Sequence, residues 1–322
     1  MYNLEPLILN GMNRTAARHY LSEVEFFDTG IMHYHDEALR VWRSVIHRYA
    51  NKETELEIPF SLAETPKLYA LDALCIASPL IKAQQQLFTI AELFAVFYLM
   101  THFFDDHVEH PDKFFSKFDF VNDSSLHAQY GAAPFSFLLI SFAVIKEILD
   151  SATDLNDSSR LAIQGAMYER LAVQTRHFAA ERTSNLSVEE VLEMKARRVN
   201  GQALGVIADI LREYLHLNET EFKRMESGML YLGSLEQFTD DIRDFAIDSA
   251  LHNANIIVSA SRFGSEAGAK KITKMYQDEA ELAKKYLSVF YNYPALKEIF
   301  SLPFYPFMVD KRELSEGKRG AA

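Results

Sequence analysis

Apolar residues recur every third or fourth position through most of the chain. Four stretches follow this helical spacing plainly: "EALRVWRSVIHRYA" (37–50), "IAELFAVFYLMTHFFDDHVEH" (90–110), "SRLAIQGAMYERLAVQTRHFAAE" (159–181) and "SVEEVLEMKARRVNGQALGVIADILREYL" (187–215). Ser187 followed by Glu190 predicts a capping box that opens the last of them. Glycine (12) and proline (9) are scarce, and no Asn-Gly turn sits between alternating strands. Breaks rich in Asn, Asp, Ser, Thr or Pro fall at 51–68, 111–134, 151–159, 183–187 and 215–219. None is long enough or low enough in complexity to be an interdomain linker, and no repeat of fixed period occurs. The pattern predicts one all-α domain over 1–322, built of roughly ten helices.

Composition narrows the class. The 322 residues are 48% hydrophobic and 24% charged, ordinary for a globular protein. A net charge of -12 argues against nucleic acid as a partner. It also means that an anionic substrate needs local cations. The single cysteine, Cys75, excludes an intrachain disulfide and a cysteine zinc cage. The N-terminal "MYNLEPLILNGMNR" lacks the basic start and apolar core of a signal peptide. The most apolar run, "AAPFSFLLISFAVI" (132–145), is too short for a membrane span. These features predict a cytoplasmic protein with no membrane span.

Two acidic clusters stand against this background. "FFDDHVEH" (103–110) follows a helix that looks buried all round, and Asp105 and Glu109, four residues apart, share a face beside Asp106. Like charges at that spacing, at a helix C-terminal end, are disfavoured by a few tenths of a kcal/mol each. "QFTDDIRDFAID" (237–248) repeats aspartate at Asp240, Asp244 and Asp248, with Asp241 adjacent. Arg243 could neutralise part of this set as a surface ladder. Two such clusters in one helical bundle instead suggest hard oxygen ligands for Mg²⁺, which binds through carboxylates together with substrate phosphates. Between them, "KARRVNG" places Arg197, suited to bidentate diphosphate recognition, four residues before a mid-helix Gly201. That glycine costs about 1 kcal/mol relative to alanine and so invites a helix break or a close backbone approach. His102, His107 and His110 flank the first cluster without a zinc-site context, and His33 and His35 of "MHYHDEALR" are read as solvated.

The ordered trio resembles the class I terpenoid synthase superfamily, most closely the microbial terpene cyclases, over roughly residues 90–250. "FFDDHVE" is similar to their DDxxD/E motif, implying Asp105, Asp106 and Glu109 as metal ligands. "DDIRDFAID" matches the i, i+4, i+8 spacing of their second motif, implying Asp240, Asp244 and Asp248, although that family prefers Asn, Ser and Glu there. "RRVNG" resembles the family's segment with a diphosphate sensor, a linker and a helix-break effector, implying Arg197, Asn200 and Gly201. The C-terminal Arg-Tyr pair of the family is missing; only Lys311 and Arg312 of "VDKRE" stand near as diphosphate contacts.

The resemblance implies a helical bundle around a central cavity and a lyase that uses three Mg²⁺ ions. That enzyme would ionise farnesyl or geranylgeranyl diphosphate and cyclise the carbocation with release of diphosphate. Phe97, Tyr98, Phe103, Phe104 and Phe238 are pocket-lining candidates by proximity to the motifs, although core packing is the ordinary role of any one of them. "QFTDDIRD" is equally similar to the second motif of squalene and phytoene synthases and of chain-elongating prenyl diphosphate synthases, where Asp240, Asp241 and Asp244 would be ligands. A prenyltransferase is therefore the alternative, although no GKxxRP-like basic motif for a second diphosphate lies near the N-terminus. A homodimer is compatible with either reading.

Overall fold

The computed structural model describes residues 34–50, 52, 66–107, 132–181, 186–261 and 265–304. No strand occurs among them. The described helices are α1 (His35–Ala50), α2 (Pro66–Ala77), α3 (Gln84–His107), α4 (Ala132–Ser151), α5 (Asp157–Glu181) and α6 (Val188–Val191). A π-helix (Leu192–Asn200) leads into α7 (Gly201–Leu215), followed by α8 (Glu219–Leu251), α9 (Ile256–Ser261), α10 (Ser265–Leu287), α11 (Tyr293–Ile299) and a 3₁₀ turn (Leu302–Phe304). The all-α expectation is met, and the predicted breaks near 151–159 and 215–219 fall at helix junctions.

Local chemistry explains the boundaries. Ser187 Oγ accepts a hydrogen bond from Glu190 N at 3.2 Å, and the Glu190 carboxylate accepts one from Ser187 N at 2.7 Å, as the capping box predicts. Asn218 and Glu221 make the same reciprocal arrangement at the start of α8. Helices α7 and α8 end on His216 and His252, both in the left-handed region (φ 52° and 58°), which turns the chain sharply without a glycine.

Helix α3 lies at the centre of the bundle. From Ile90 to Met100 every side chain is buried, Glu92 included. The stretch Gln84–Phe104 is long and apolar enough to cross a membrane, so it exceeds the run singled out from the sequence at 132–145. It is 83% buried inside the protein, the position of a core helix packed by its neighbours. Glu92 is kept buried by Arg48 and Ser44 of α1, at 3.1 and 2.6 Å.

Helices α5, α7 and α8 meet at Arg170. Its guanidinium donates to Asp209, to Gln202 at 2.8 Å and to Glu226 at 2.7 Å. Gly205 faces that guanidinium, and a β-carbon there would collide with it.

The long helix predicted over 187–215 is the main local difference. It forms, but residues 192–200 take π geometry, and Gly201 continues it with ordinary helical angles (φ -59°, ψ -41°). No break occurs at Gly201. The glycine is there because α7 and α8 touch backbone to backbone. A β-carbon on Gly201 would stand 2.9 Å from Leu230 O, and one on Gly233 would stand 2.6 Å from Asn200 O.

Candidate active site

Helix α8 carries the second acidic cluster, and its aspartates divide between two faces. Asp241 is fully buried. Its Oδ1 accepts from Lys195 Nζ at 3.0 Å and from Gln237 Nε2 at 2.6 Å, and its Oδ2 from the backbone N–H of Ile256 at 2.5 Å. Burial pushes its carboxyl up, and the Lys195 ammonium is the largest force against this. Asp248, 8% exposed, accepts from Asn255 Nδ2 at 2.9 Å and from Asn253 Nδ2 at 3.2 Å. Lys195 Nζ stands 3.9 Å from it. Asn255 in turn caps α9 through the N–H groups of Ile257 and Val258. Asp241 and Asp248, seven residues apart, thus share a stripe that ties α8 to the π-helix and to α9.

The π-helix is what brings Lys195 to this stripe. A π turn shifts every later side chain around the axis relative to an α-helix, and such turns concentrate at functional positions. Asn200 Nδ2 donates to Gln237 Oε1 at 2.6 Å, so a hydrogen-bonded chain runs Asn200–Gln237–Asp241–Lys195. Gln174, fully buried on α5, accepts from Thr101 of α3 at 3.0 Å and donates to Val199 O at 2.8 Å. The turn is fastened on both sides.

The neighbouring face of α8 is different. Glu236, Asp240 and Asp244 follow one another at four-residue steps. Asp240 and Asp244 both accept from Arg243, the latter through Nε at 3.2 Å, and keep about a third of their side-chain surface exposed (34% and 36%). Burial pushes Asp240 up to about 6; Arg243 opposes this, Asp244 adds to it, and Lys195 and Asp241 act in the same two senses more weakly. Glu236 Oε1 is buried and accepts no hydrogen bond. Its carboxyl is held well above the usual range by burial, then by the charges of Asp72 on α2 and of Asp240. Asp72 is only 8% exposed and is likewise pushed up by burial. The sequence reading passed over Asp72 and Glu236. The signal available was a lone acid in the apolar run "LYALDALCIA" and an acid one turn before the aspartates.

Asp105 and Asp106 occupy the last turn of α3, where their side chains lie outside the described residues, as do Glu109, Lys311 and Arg312 entirely. Asp240 and Asp244 share one face while Asp248 belongs to the other, and no three acid, histidine or cysteine side chains among the described residues converge to hold a metal. Among the described residues, Arg197 does not bond to Asp240, Asp241, Asp244 or Asp248. It donates to Glu279 through Nη2 at 2.5 Å and Nε at 3.3 Å and to Glu193 at 3.1 Å, and its guanidinium lies 5.4 Å from the Tyr231 ring centre. The cation of this segment that reaches Asp241 and Asp248, Lys195, was missed because a straight helix gives no reason to choose it over Arg197 or Arg198. Asn200 orients Gln237, and Gly201 provides the close helix crossing. Phe97, Tyr98, Phe103, Phe104 and Phe238 are all buried. Phe103 stacks on Phe137 of α4 with centroids 4.0 Å apart, and Phe238 meets Tyr276 of α10 edge-on at 5.7 Å.

Carboxylate oxygens suit Mg²⁺. Asp240 and Asp244, half-buried and bound only by Arg243 in the contacts above, fit such an ion as partial ligands. Asp241 and Asp248, already saturated by donors, do not.

No protein-family model matches the chain, and no curated protein matches it. Solved structures do. A geranylgeranyl pyrophosphate synthetase from the archaeon Geoglobus acetivorans is similar with a TM-score of 0.64 at 20% identity, over 85% of this chain and 97% of that one. A geranylgeranyl pyrophosphate synthetase from Pyrococcus horikoshii reaches 0.56 at 12%, over 85% and 97%. A polyprenyl synthase from Caulobacter crescentus, complexed with calcium and isoprenyl diphosphate, reaches 0.53 at 14%, over 87% and 98%. The chain has the all-helical fold of the isoprenyl diphosphate synthases, and nothing in these likenesses is specific to a cyclase.

Proposed function

We propose that this protein is a Mg²⁺-dependent prenyltransferase that ionises an allylic isoprenyl diphosphate and joins the resulting cation to a carbon nucleophile. The observation that carries this reading is the likeness of the whole fold to prenyl synthase structures. The division of α8 leaves both expected ligand sets one member short: Asp248 of the i, i+4, i+8 set is consumed by Asn253 and Asn255, and Asp241 of the prenyltransferase set by Lys195, Gln237 and Ile256. Asp240 and Asp244, common to both sets, are offered together on one face, and prenyl transfer replaces cyclisation as the leading reading.

In this reading Asp240 and Asp244 would hold the metal, with Asp105, Asp106 and Glu109 of the first acidic cluster as the further ligands that the resemblance implies. Bound Mg²⁺ supplies positive charge to the departing diphosphate. Arg243 neutralises Asp240 and Asp244 between turnovers and exchanges its contacts when the site fills. Lys195 keeps α8 in register through Asp241, so the two exposed carboxylates stay aimed together. The aromatic wall of Phe97, Phe103 and Phe104 excludes water from the cation.

The test is incubation of purified protein with Mg²⁺ and geranyl, farnesyl or geranylgeranyl diphosphate, with product analysis by mass spectrometry. Diphosphate release with a prenylated product supports the reading. A cyclic hydrocarbon from the allylic diphosphate alone returns it to cyclase, and no diphosphate release with any chain length removes it.

A further inference from the structure

The two ligand sets expected on α8 share Asp240 and Asp244 and differ in their third member, Asp248 in one and Asp241 in the other. Both of those third members face the same atom. Lys195 Nζ lies 3.0 Å from Asp241 Oδ1, 3.9 Å from Asp248 Oδ2 and 3.2 Å from Ala254 O. Three oxygens, two of them from one face of α8 and one from the turn that follows it, therefore converge on a single positive charge. Water has little access there: the Asp241 side chain is fully buried, and those of Lys195 and Asp248 nearly so. Carboxylate and backbone carbonyl oxygens are the ligands that a hard divalent cation takes. The group they surround is instead an ammonium, with three donors and a charge of its own. A metal ion on the same lone pairs would meet that charge at close range in a site sheltered from solvent.

We infer that the Lys195 ammonium is a built-in replacement for one metal ion at Asp241 and Asp248, so that the protein takes up diphosphate with fewer than the three Mg²⁺ ions that the family resemblance implies. This rests on the reading of α8 as the metal-bearing helix and corrects its cofactor count. Asp240 and Asp244 are left as the metal ligands of that helix. A charge fixed to the chain is present before any Mg²⁺ binds, so Asp241 and Asp248 are neutralised and α8 is docked in the metal-free protein. The π-helix is what delivers the charge, by turning Lys195 onto this stripe.

Mn²⁺ is the probe, since it takes the same oxygen ligands as Mg²⁺ and its bound ions are counted by electron paramagnetic resonance. The full chain and Lys195→Ala are titrated with Mn²⁺ in saturating inorganic diphosphate, and each is also melted with and without Mn²⁺ in the absence of diphosphate. Wild type is expected to hold fewer than three ions. Lys195→Ala uncovers the three oxygens and is expected to hold one ion more than wild type. Its melting temperature should rise with Mn²⁺ by at least about 3 °C more than that of wild type. Three ions in wild type, or a folded Lys195→Ala that matches wild type in both readouts, overturns the inference alone. Should Lys195→Ala fold at no Mn²⁺ concentration, the wild-type count decides. Wild type that binds no Mn²⁺ with diphosphate overturns the inference together with the prenyl-transfer reading. The expected counts without diphosphate release from any allylic substrate remove that reading and sustain the inference.

Discussion

Two stripes of one helix contrast sharply. On α8, Asp241 and Asp248 are saturated by Lys195, Gln237, Ile256, Asn253 and Asn255, whereas Asp240 and Asp244 share Arg243 and Glu236 Oε1 is buried without a donor. Residues that look alike in sequence therefore do opposite work. A buried acid whose lone pairs are filled stabilises the fold it joins. An acid left exposed or unpartnered beside its own kind costs stability and is kept for a ligand.

The largest effect should come from the saturated stripe. Asp241→Ala takes from the mostly buried Lys195 ammonium, whose side chain is 12% exposed, its nearest carboxylate, leaving Asp248 at 3.9 Å and Ala254 O at 3.2 Å, and removes three bonds at once. It should cost about 3–5 kcal/mol of folding stability, measured by urea denaturation; a loss under about 1 kcal/mol would dissolve the distinction between the stripes. Asp240→Asn should do the reverse, lowering turnover by about 10²–10³ while leaving the melting temperature equal or raised.

Arg197 separates the two readings of the π segment. Its bidentate partner Glu279 has only 4% of its side chain exposed, so Arg197→Ala leaves that acid unpaired at about 1–3 kcal/mol. Turnover of the folded variant should change by no more than about threefold, a small fraction of the effects expected for groups that stabilise the transition state. Abolished turnover in a stable, helical variant would restore Arg197 as a diphosphate sensor.

The smallest effect is in pH. Asp240 is pushed from its ordinary 3.8 to about 6 in the folded chain. The folded state therefore binds this proton more tightly than the unfolded state does. Its contribution to stability is present below pH 3.8 and is lost as pH rises through about 6. Metal binding runs the other way, because it needs the carboxylate. Mg²⁺ affinity should fall roughly tenfold per pH unit below about 6, followed by calorimetry between pH 5 and 7.5; a flat profile would place Asp240 outside the metal site.

Much of the fold was legible because helical periodicity and capping are local. The buried run of α3, the Ser187–Glu190 box and the α7–α8 junction all follow from neighbouring residues. The aspartate spacing was legible too, but not its division, since Asp241 and Asp248 are satisfied by Asn253, Asn255 and Ile256 after the chain has turned at His252. The π turn escaped because nothing in "LEMKARRVN" distinguishes it from an α-helix. It is fastened by Gln174 from α5 and by the glycine contact with α8, and with it Lys195, not Arg197, meets the acids. Asp72 and Glu236 escaped for the same reason: the burial of Asp72 and of Glu236 Oε1 belongs to the packed chain, not to either segment.

The most direct test of the two-stripe account is Mg²⁺-dependent binding of inorganic diphosphate, measured by titration calorimetry on wild type, Asp240→Asn and Asp248→Asn. The account predicts binding in wild type and in Asp248→Asn, with affinity lost at least tenfold in Asp240→Asn while that protein stays fully folded. Binding that survives in Asp240→Asn and disappears in a folded Asp248→Asn would contradict it.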